Sequence, residues 1–327
     1  MQFKPKFALQ PLPPIPGHPT LVQTNPLGPL AQLPGTWIGT GFNTIWRPFN
    51  INTTPPLPVP QDHFLELNLT NDQIEFTAIP GQIPNRGLLQ PDINLAGMTY
   101  LQQISDANVG AGLHIEPGIW AAVPPTSDPL EGQTVIRMAS IPHGTAILAQ
   151  GTATTTAGPP AIPANSITPF DQGRPSELTP FPESTLTTST TFRSPANQIA
   201  GISQRMVDNP NSVLIDAIAQ QTILETTTIT VSSSPAAPLT GGGTANSTFL
   251  QGGNDGPNAQ SALVTATFWI ETLADGDPLR GIPPTLQLQY TQTVVLDFIG
   301  IGWPHVTVGT LRKQPPPAVT PVPRQRG

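Results

Sequence analysis

Histidine is the residue type that offers this chain most of its potential chemistry. The five histidines are His18, His63, His114, His143 and His305. None belongs to a His-x-His or His-Glu-x-x-His arrangement, so a zinc hydrolase has no support. The absence of cysteine excludes disulfides, thiolate metal ligands and cysteine nucleophiles. The chain also lacks the Gly-x-Ser-x-Gly turn on which α/β-hydrolases carry their serine.

One short-range pair has the composition of a general base and its orienting acid. His114 and Glu116 lie two residues apart in a predicted strand, so their side chains point to the same face. A carboxylate can hold an imidazole in position for proton transfer. A structural hydrogen bond at the rim of the sheet is the alternative interpretation, and the residues alone do not decide whether the protein is an enzyme.

The composition favours strands and loops over helices. Of 327 residues, 43 are proline, 29 are glycine and 10% are charged, against about 25% charged and about 5% proline in ordinary globular chains. The net charge of -7 argues against nucleic acids and anionic membranes as partners, since both require clustered Lys and Arg. We find no secretory signal and no apolar run of about 18 residues, so we expect a cytoplasmic protein.

Alternating apolar and polar residues predict about ten strands. One helix is predicted over 208–221, with Asp208 or Asn209 as its cap and Pro210 in its first turn. Two long insertions, 158–184 and 232–260, exceed what a connection needs and are either functional or disordered. The predicted strands cover 37–46, 63–70, 73–79, 113–123, 134–141, 145–153, 222–233, 262–272, 285–298 and 305–312.

The last three predicted strands follow one another with short connections, as in an antiparallel meander. The Pro-rich ends, 1–34 and 314–327, favour an extended arm and tail. Residues 35–313 then form one domain. The sequence therefore predicts an all-β protein, a single antiparallel up-and-down β-barrel with long insertions and one short helix.

The first predicted strand carries the most informative motif, a tryptophan among alternating glycines: Gly35, Trp37, Gly39 and Gly41. Glycines here let a neighbouring backbone approach closely, while the indole closes one end of a barrel. In this motif the chain resembles the calycin superfamily, and within it the nitrobindin branch, whose first strand opens Gly-x-Trp-x-Gly-x-Gly. The resemblance implies a lipocalin-like barrel.

The last predicted strand carries the second part of this resemblance. Calycin barrels place a basic residue there across the first-strand tryptophan, and Arg312 matches it, which implies a cation–π contact with Trp37. In nitrobindin-like proteins a histidine at the start of this strand ligates haem iron, and His305 matches it. The resemblance is confined to these two strands.

Haem b is therefore the cofactor that the resemblance implies, with His305 as the axial ligand of the iron. Nitric oxide, peroxynitrite or weak peroxidase chemistry would follow at that iron. Arg47 and Arg137 are candidate partners for a haem propionate, and Trp120 is a candidate wall residue. The other candidate wall residues are Phe42, Ile45, Trp46, Phe268 and Trp269.

Two further hypotheses stay open. The same barrel could carry or sense an apolar ligand, such as a fatty acid or a terpenoid, without a metal. Alternatively, the Pro-rich arms could join copies of the chain into a homo-oligomer, as in a structural or assembly protein.

Overall fold

The computed structural model describes residues 25–50, 62–194, 200–236, 238–253, 258–276 and 282–315. These residues form an antiparallel barrel in which ten strands follow one another around the wall and the last pairs with the first. With the strands numbered along the chain, the wall consists of β1 (Gly35–Pro48), β2 (His63–Ala78), β4 (Ile93–Asp106), β5 (Gly112–Val123), β8 (Thr134–Ile141), β9 (Thr145–Ala157), β13 (Ile223–Ser232), β15 (Gln260–Leu273), β16 (Leu286–Phe298) and β17 (Ile301–Lys313).

Shorter elements decorate this wall. The short strands are β3 (Ile83–Asn85), β6 (Thr126–Ser127), β7 (Leu130–Glu131), β10 (Phe170–Asp171), β11 (Arg174–Leu178), β12 (Arg193–Ser194) and β14 (Gly243–Asn246). The helices are α1 (Gln204–Asp208), α2 (Ser212–Ile218) and α3 (Thr248–Gln251), with 3-10 turns at Gly28–Leu30 and Pro182–Ser184. No helix within the described ranges is long and apolar enough to cross a bilayer.

Alternation along each strand explains the barrel, and the predicted all-β fold is confirmed. In β16, Leu288, Tyr290 and Val294 join the interior core. Gln287 and Gln289 alternate with these residues and bond to α2 or to the residues that follow it. Because β1 and β17 pair over eight residues, the sheet closes on itself.

The structure differs from the strand predictions in two places. The segments 63–70 and 73–79 form one continuous strand, β2, because Asp72 between them points inward and is hydrogen-bonded there. A turn at the Asn71-Asp72 dipeptide is therefore not made, despite its turn composition. Strand β4 was not predicted, because Gln102 and Asp106 are buried and break its apolar alternation.

The predicted single helix over 208–221 is also wrong, since the chain forms two short helices there. α1 ends at Asp208, and Asn209 adopts an extended conformation with φ of -149°. Pro210 disfavours the helical conformation for the residue before it, so the chain turns before α2 starts at Ser212.

The end of the barrel at which β1 begins is closed by the last part of the predicted N-terminal arm. Leu27, Leu30 and Leu33 are buried in the interior core together with Trp37. The indole Nε1 of Trp37 donates to Leu33 O at 2.7 Å. Residues 1–24 of the predicted arm lie outside the described residues. The part of the arm that the structure describes is thus a plug inside the barrel.

A second apolar core lies on the outer face of the wall. Residues 158–194 and 200–218 cover side chains that alternate away from the interior, and Trp46 Nε1 donates to Ile167 O at 2.8 Å. The predicted insertion 158–184 is therefore the start of a longer packed segment. The buried members of this outer core are Phe42, Trp46, Leu65, Leu67, Ile167, Leu186, Ile202, Val207, Leu214, Ala259, Trp269, Phe298, Trp303, Val306 and Val308.

One arginine organises the turns of this outer segment. Arg193 is 2% exposed, and its guanidinium donates to the carbonyl oxygens of Glu183, Thr185 and Thr188 at 2.9 to 3.0 Å. Buried carbonyl groups of a loop require such partners. This explains how a long, Pro-rich segment packs without regular secondary structure.

Candidate functional site

A cavity of about 330 Å³ lies inside the barrel, at the end opposite Trp37. Its volume is at the lower end of the range of about 300–1,000 Å³ that small-molecule sites occupy. Leu250 and Ala259, from the second insertion, contribute to its wall. Most of its apolar wall comes from Ile45, Ile104, Leu113, Ile141, Val294 and Leu296.

His305, the predicted haem ligand, lies near the start of β17, and its side chain lines this cavity. Its Nε2 lies 2.8 Å from Asn43 Oδ1 in β1, so Nε2 carries the proton and donates it. Burial, together with the charges of His114 and His143, lowers the pKa of His305 to about 3. The imidazole is therefore neutral near pH 7, and Nδ1 holds the free lone pair.

The tautomer of His305 is set by a relay of hydrogen bonds across four strands. Asn43 Oδ1 also accepts from Thr307 Oγ1 at 2.8 Å. Asn43 Nδ2 donates to Asn68 Oδ1 at 3.4 Å, and Asn68 Nδ2 donates to Asp106 Oδ2 at 2.9 Å. Because the relay ends at a carboxylate, every amide in it is oriented with its oxygen toward β17.

A buried polar layer forms the floor of the cavity. Tyr290 OH donates to Asp72 Oδ2 at 2.5 Å, and Gln102 Nε2 donates to the same oxygen at 3.1 Å. Burial raises the pKa of Asp72 to about 6, although both hydrogen bonds lower it. Tyr290 and Gln102 line the cavity, so the floor presents neutral polar groups above a buried carboxyl.

Beside this carboxyl lies a fully buried ion pair between Glu116 and Arg137. Arg137 also donates to Tyr100 OH at 3.0 Å and to Gln292 Oε1 at 2.6 Å. Burial alone would raise the pKa of Glu116, but the charge of Arg137 and the bonds from His114 and Tyr100 lower it to about 2. Arg137, a predicted propionate partner, is therefore engaged in an ion pair below the cavity.

The predicted pair of His114 and Glu116 is brought together, with Nε2 and Oε2 3.2 Å apart. The His114 ring also stacks on His143, with ring centroids 5.4 Å apart. Burial and the charge of His114 lower the pKa of His143. Strand β5 pairs with β8 only from Gly118 onward, and both imidazoles line the cavity and a groove on the outer surface. They therefore lie at a lateral gap in the wall.

Arg47, the other predicted propionate partner, lies at the cavity wall near the end of β1. Its Nε donates to Glu66 Oε1 at 2.5 Å, and its guanidinium lies 4.6 Å from the ring centroid of Phe64. The positive charge at this end of the cavity is thus already paired.

The predicted wall residues divide between three places. Ile45 lines the cavity. Trp120 and Phe268 pack edge to face in the interior core, with centroids 5.2 Å apart. The remaining three belong to the outer core, because alternation points them away from the interior: Phe42, Trp46 and Trp269.

The predicted contact between Arg312 and Trp37 is wrong. The cation over the indole is Lys313, whose Nζ lies 5.3 Å from the ring centroid and 2.5 Å from Gln32 O. Trp37 pairs with Lys313 across the β1–β17 seam, so these two side chains share the inner face. Arg312 points to the outer face. Its charge there lowers the pKa of Glu271, but burial raises that pKa more, so the net shift is upward.

Alternation also places Asn43 inside, since it shares parity with Trp37. Ser261 is a further polar residue of the cavity wall, and no pattern in the sequence indicates that it faces the cavity. Strand β15 shifts register between Ser261 and Leu263, and this bulge changes which residues face the cavity.

Haem would have to bind through Nδ1 of His305, since Nε2 donates to Asn43, and a ligating histidine commonly donates its other ring N–H in this way. Arg137 is paired with Glu116. Within the part of the chain that the structure describes, no three His, Asp or Glu side chains converge on a possible metal position. Haem b bound through His305 therefore stays a prediction.

Comparisons with known proteins add little. No protein-family model and no curated protein matches the chain. A crystal structure of Rv2717c from M. tuberculosis aligns over 89% of this chain and 99% of that chain, with 12% sequence identity and a TM-score of 0.41. Such a likeness carries no argument about function. The closed ten-strand barrel is compatible with a calycin-like fold, and the nitrobindin branch stays a prediction.

Proposed function

We propose that this protein binds a small, largely apolar molecule in the cavity of its barrel. The observation that carries the proposal is the composition of that cavity, in which apolar side chains share the wall with hydrogen-bonding side chains such as Gln102, Tyr290 and Ser261. Burying apolar ligand surface there contributes about 25 cal/mol per Å². The polar groups then orient the ligand, as in other small-molecule sites.

Carriage or sensing suits this cavity better than catalysis. The imidazole of His305 is held by Asn43, and the carboxylate of Glu116 is committed to Arg137 and Tyr100. In a His–carboxylate pair that acts as a general base, the carboxylate stabilises the imidazolium that proton transfer produces. In this barrel the carboxylate next to His114 belongs to Glu116 and is paired with the guanidinium of Arg137. It therefore stabilises the buried polar layer.

Fluorescence of the neutral probe N-phenyl-1-naphthylamine tests the site. We expect saturable binding to the full-length protein and at least tenfold weaker binding by Ile45→Trp, because the indole would occupy the cavity. The matched control is Ile38→Trp, since Ile38 lies on the same strand but is 46% exposed on the outer face. If Ile38→Trp weakens binding and Ile45→Trp does not, the probe occupies the outer groove and the proposal fails.

The haem prediction has its own readout in the same protein. If His305 ligates haem b, titration with haemin must produce a Soret band that His305→Ala loses. A wild-type protein without a Soret band makes the haem prediction wrong and leaves the probe-binding result unaffected.

Assembly through the Pro-rich arms stays a prediction as well. Residues 1–24 and 316–327 lie outside the described residues. Sedimentation of the full chain against a chain lacking residues 1–24 would test it, since only arm-mediated assembly depends on those residues.

A further inference from the structure

We infer that the cavity selects uncharged ligands and that Ser261 Oγ hydrogen-bonds to a hydroxyl or carbonyl group of the ligand. The inference rests on the proposed function and names the ligand class of the same site. It is carried by one unpartnered hydroxyl and by the way the charges around the cavity are paired.

The backbone N–H and C=O groups of Ser261 form hydrogen bonds, whereas its side-chain hydroxyl forms none with the described residues. It is 3% exposed and lines the cavity. Its N–H donates to Asn246 Oδ1 at 3.1 Å, and its carbonyl oxygen accepts from Thr244 Oγ1 at 2.6 Å. Its Oγ has no hydrogen-bond partner among the described residues. Among the described residues that line the cavity, Ser261 alone has a buried side-chain polar atom without a hydrogen-bond partner.

A buried hydroxyl without a partner is unfavourable, since it has lost water and gained nothing in return. A ligand that brings a polar group to Ser261 removes this deficit. A serine hydroxyl both donates and accepts, so it bonds equally to a hydroxyl or to a carbonyl. The register shift between Ser261 and Leu263 is the feature that places the hydroxyl here, and bulges commonly aim side chains at sites.

The charges of the residues that line the cavity argue against a charged ligand. Arg47 and Glu66 neutralise each other at 2.5 Å. His114 lies 3.2 Å from Glu116, which is itself paired with Arg137. His305 is neutral near pH 7. A carboxylate or ammonium group in this cavity would have to break one of these pairs or remain unpaired, and an unpaired buried charge is strongly unfavourable.

A ligand series of one chain length tests the charge selectivity in the wild-type protein. The cavity holds about ten water volumes of about 30 Å³ each, so 1-octanol, octanoic acid and octylamine are suitable in size. Near pH 7 the acid and the amine are charged. In displacement of N-phenyl-1-naphthylamine, we expect octanol to bind at least tenfold more tightly than either charged ligand.

The outcomes separate this inference from the proposed function. If the acid or the amine binds as tightly as octanol, the inference is overturned, although the cavity still binds ligands. If neither the probe nor any of the three ligands binds, the proposed function fails as well.

The variant Ser261→Ala tests the hydrogen bond. We expect it to bind octanol about 2- to 10-fold more weakly, the effect of one neutral hydrogen bond, and to bind octane unchanged. The matched control is Thr267→Val, which removes a hydroxyl from the outer face of the same strand, β15. Thr267 does not line the cavity, and its Oγ1 lies 3.3 Å from Thr230 Oγ1, so the loss of that hydroxyl leaves octanol affinity unchanged.

Equal octanol affinity of Ser261→Ala and wild type overturns the role of Ser261. Thermal unfolding of the variant confirms that it is folded, and removal of an unpartnered hydroxyl is expected to leave the melting temperature close to that of the wild type. The wild-type ligand series needs no variant and tests the selectivity independently.

Discussion

Among single residues, Glu271 is a second buried carboxyl with a strongly shifted pKa, and it lies on the outer face of the barrel wall. Glu271 is fully buried on the outer face of β15. Gln287 Nε2 donates to its Oε2 at 2.5 Å, while Oε1 has no partner among the described residues. Burial raises the pKa of Glu271 to about 7, against the effects of Gln287 and Arg312. This side chain therefore titrates near neutral pH.

The shift makes stability depend on pH through Glu271. Between its ordinary pKa of 4.5 and the folded value of about 7, the folded state retains a proton that the unfolded state has lost. The free energy of unfolding therefore falls as pH rises through this window. Because Glu271→Gln stays neutral, we expect it to exceed the wild type in stability by about 1–3 kcal/mol near pH 8 and to lose that advantage near pH 4.

Urea unfolding at a series of pH values measures this difference. Asp72, whose pKa is also raised, contributes equally to both proteins and cancels in the comparison. Parallel stability profiles of the wild type and Glu271→Gln would contradict the prediction.

At the scale of elements, the outer segment and the barrel share side chains. α2 lies against β17 and against the outer side of β16, where Gln289 Nε2 donates to Leu214 O at 3.0 Å. Leu214 is fully buried in the outer core. The segment therefore stabilises the wall by covering apolar residues that would otherwise face water.

We expect Leu214→Ala to lower the free energy of unfolding by about 2–5 kcal/mol, as in an interior core. Leu224→Ala is the matched control, because Leu224 is 52% exposed. Urea unfolding followed by tryptophan fluorescence and by far-UV circular dichroism measures both variants. Two separated transitions would show that the outer segment unfolds independently and would contradict this view of a shared core.

At the scale of the whole molecule, the barrel is closed by a seam that needs glycine. A Cβ on Gly39 would lie 2.0 Å from Thr310 O, and one on Gly41 would lie 2.0 Å from Val308 O. The same seam carries the hydrogen bond between His305 and Asn43. Closure of the sheet and the geometry of the cavity therefore depend on the same pair of strands.

We expect Gly41→Ala to destabilise the protein by about 1–3 kcal/mol or more, since its methyl group would collide with backbone, and to weaken probe binding. Gly112→Ala is the control, because a Cβ on Gly112 would have no heavy atom within 4 Å. Thermal unfolding and hydrogen exchange of the β1 and β17 amides measure the effect. Equal melting temperatures of the two variants would refute it.

Local chemistry predicts much of the fold and part of the site. Alternation predicts most strands, and the Trp37 motif, with the meander of β15 to β17, predicts closure between the first and last strands. Parity alone also implies Asn43 and His305 on one inner face. The division of β2 into two predicted strands, 63–70 and 73–79, is wrong because the partners of Asp72 between them, Tyr290 and Gln102, come from distant strands.

Strand alternation predicts an all-β protein, and the resemblance of the first and last strands to calycins implies a closed barrel with Trp37 near one end and His305 facing the ligand. Long-range contacts alone place Lys313 over the indole, pair Arg137 with Glu116, turn Ser261 toward the cavity and bring residues 158–194 and 200–218 into a second core. The two kinds of feature differ in the sequence separation of the residues that make them. Alternation is a property of neighbouring residues, whereas pairing of buried charges and register shifts depend on strands far apart in the chain.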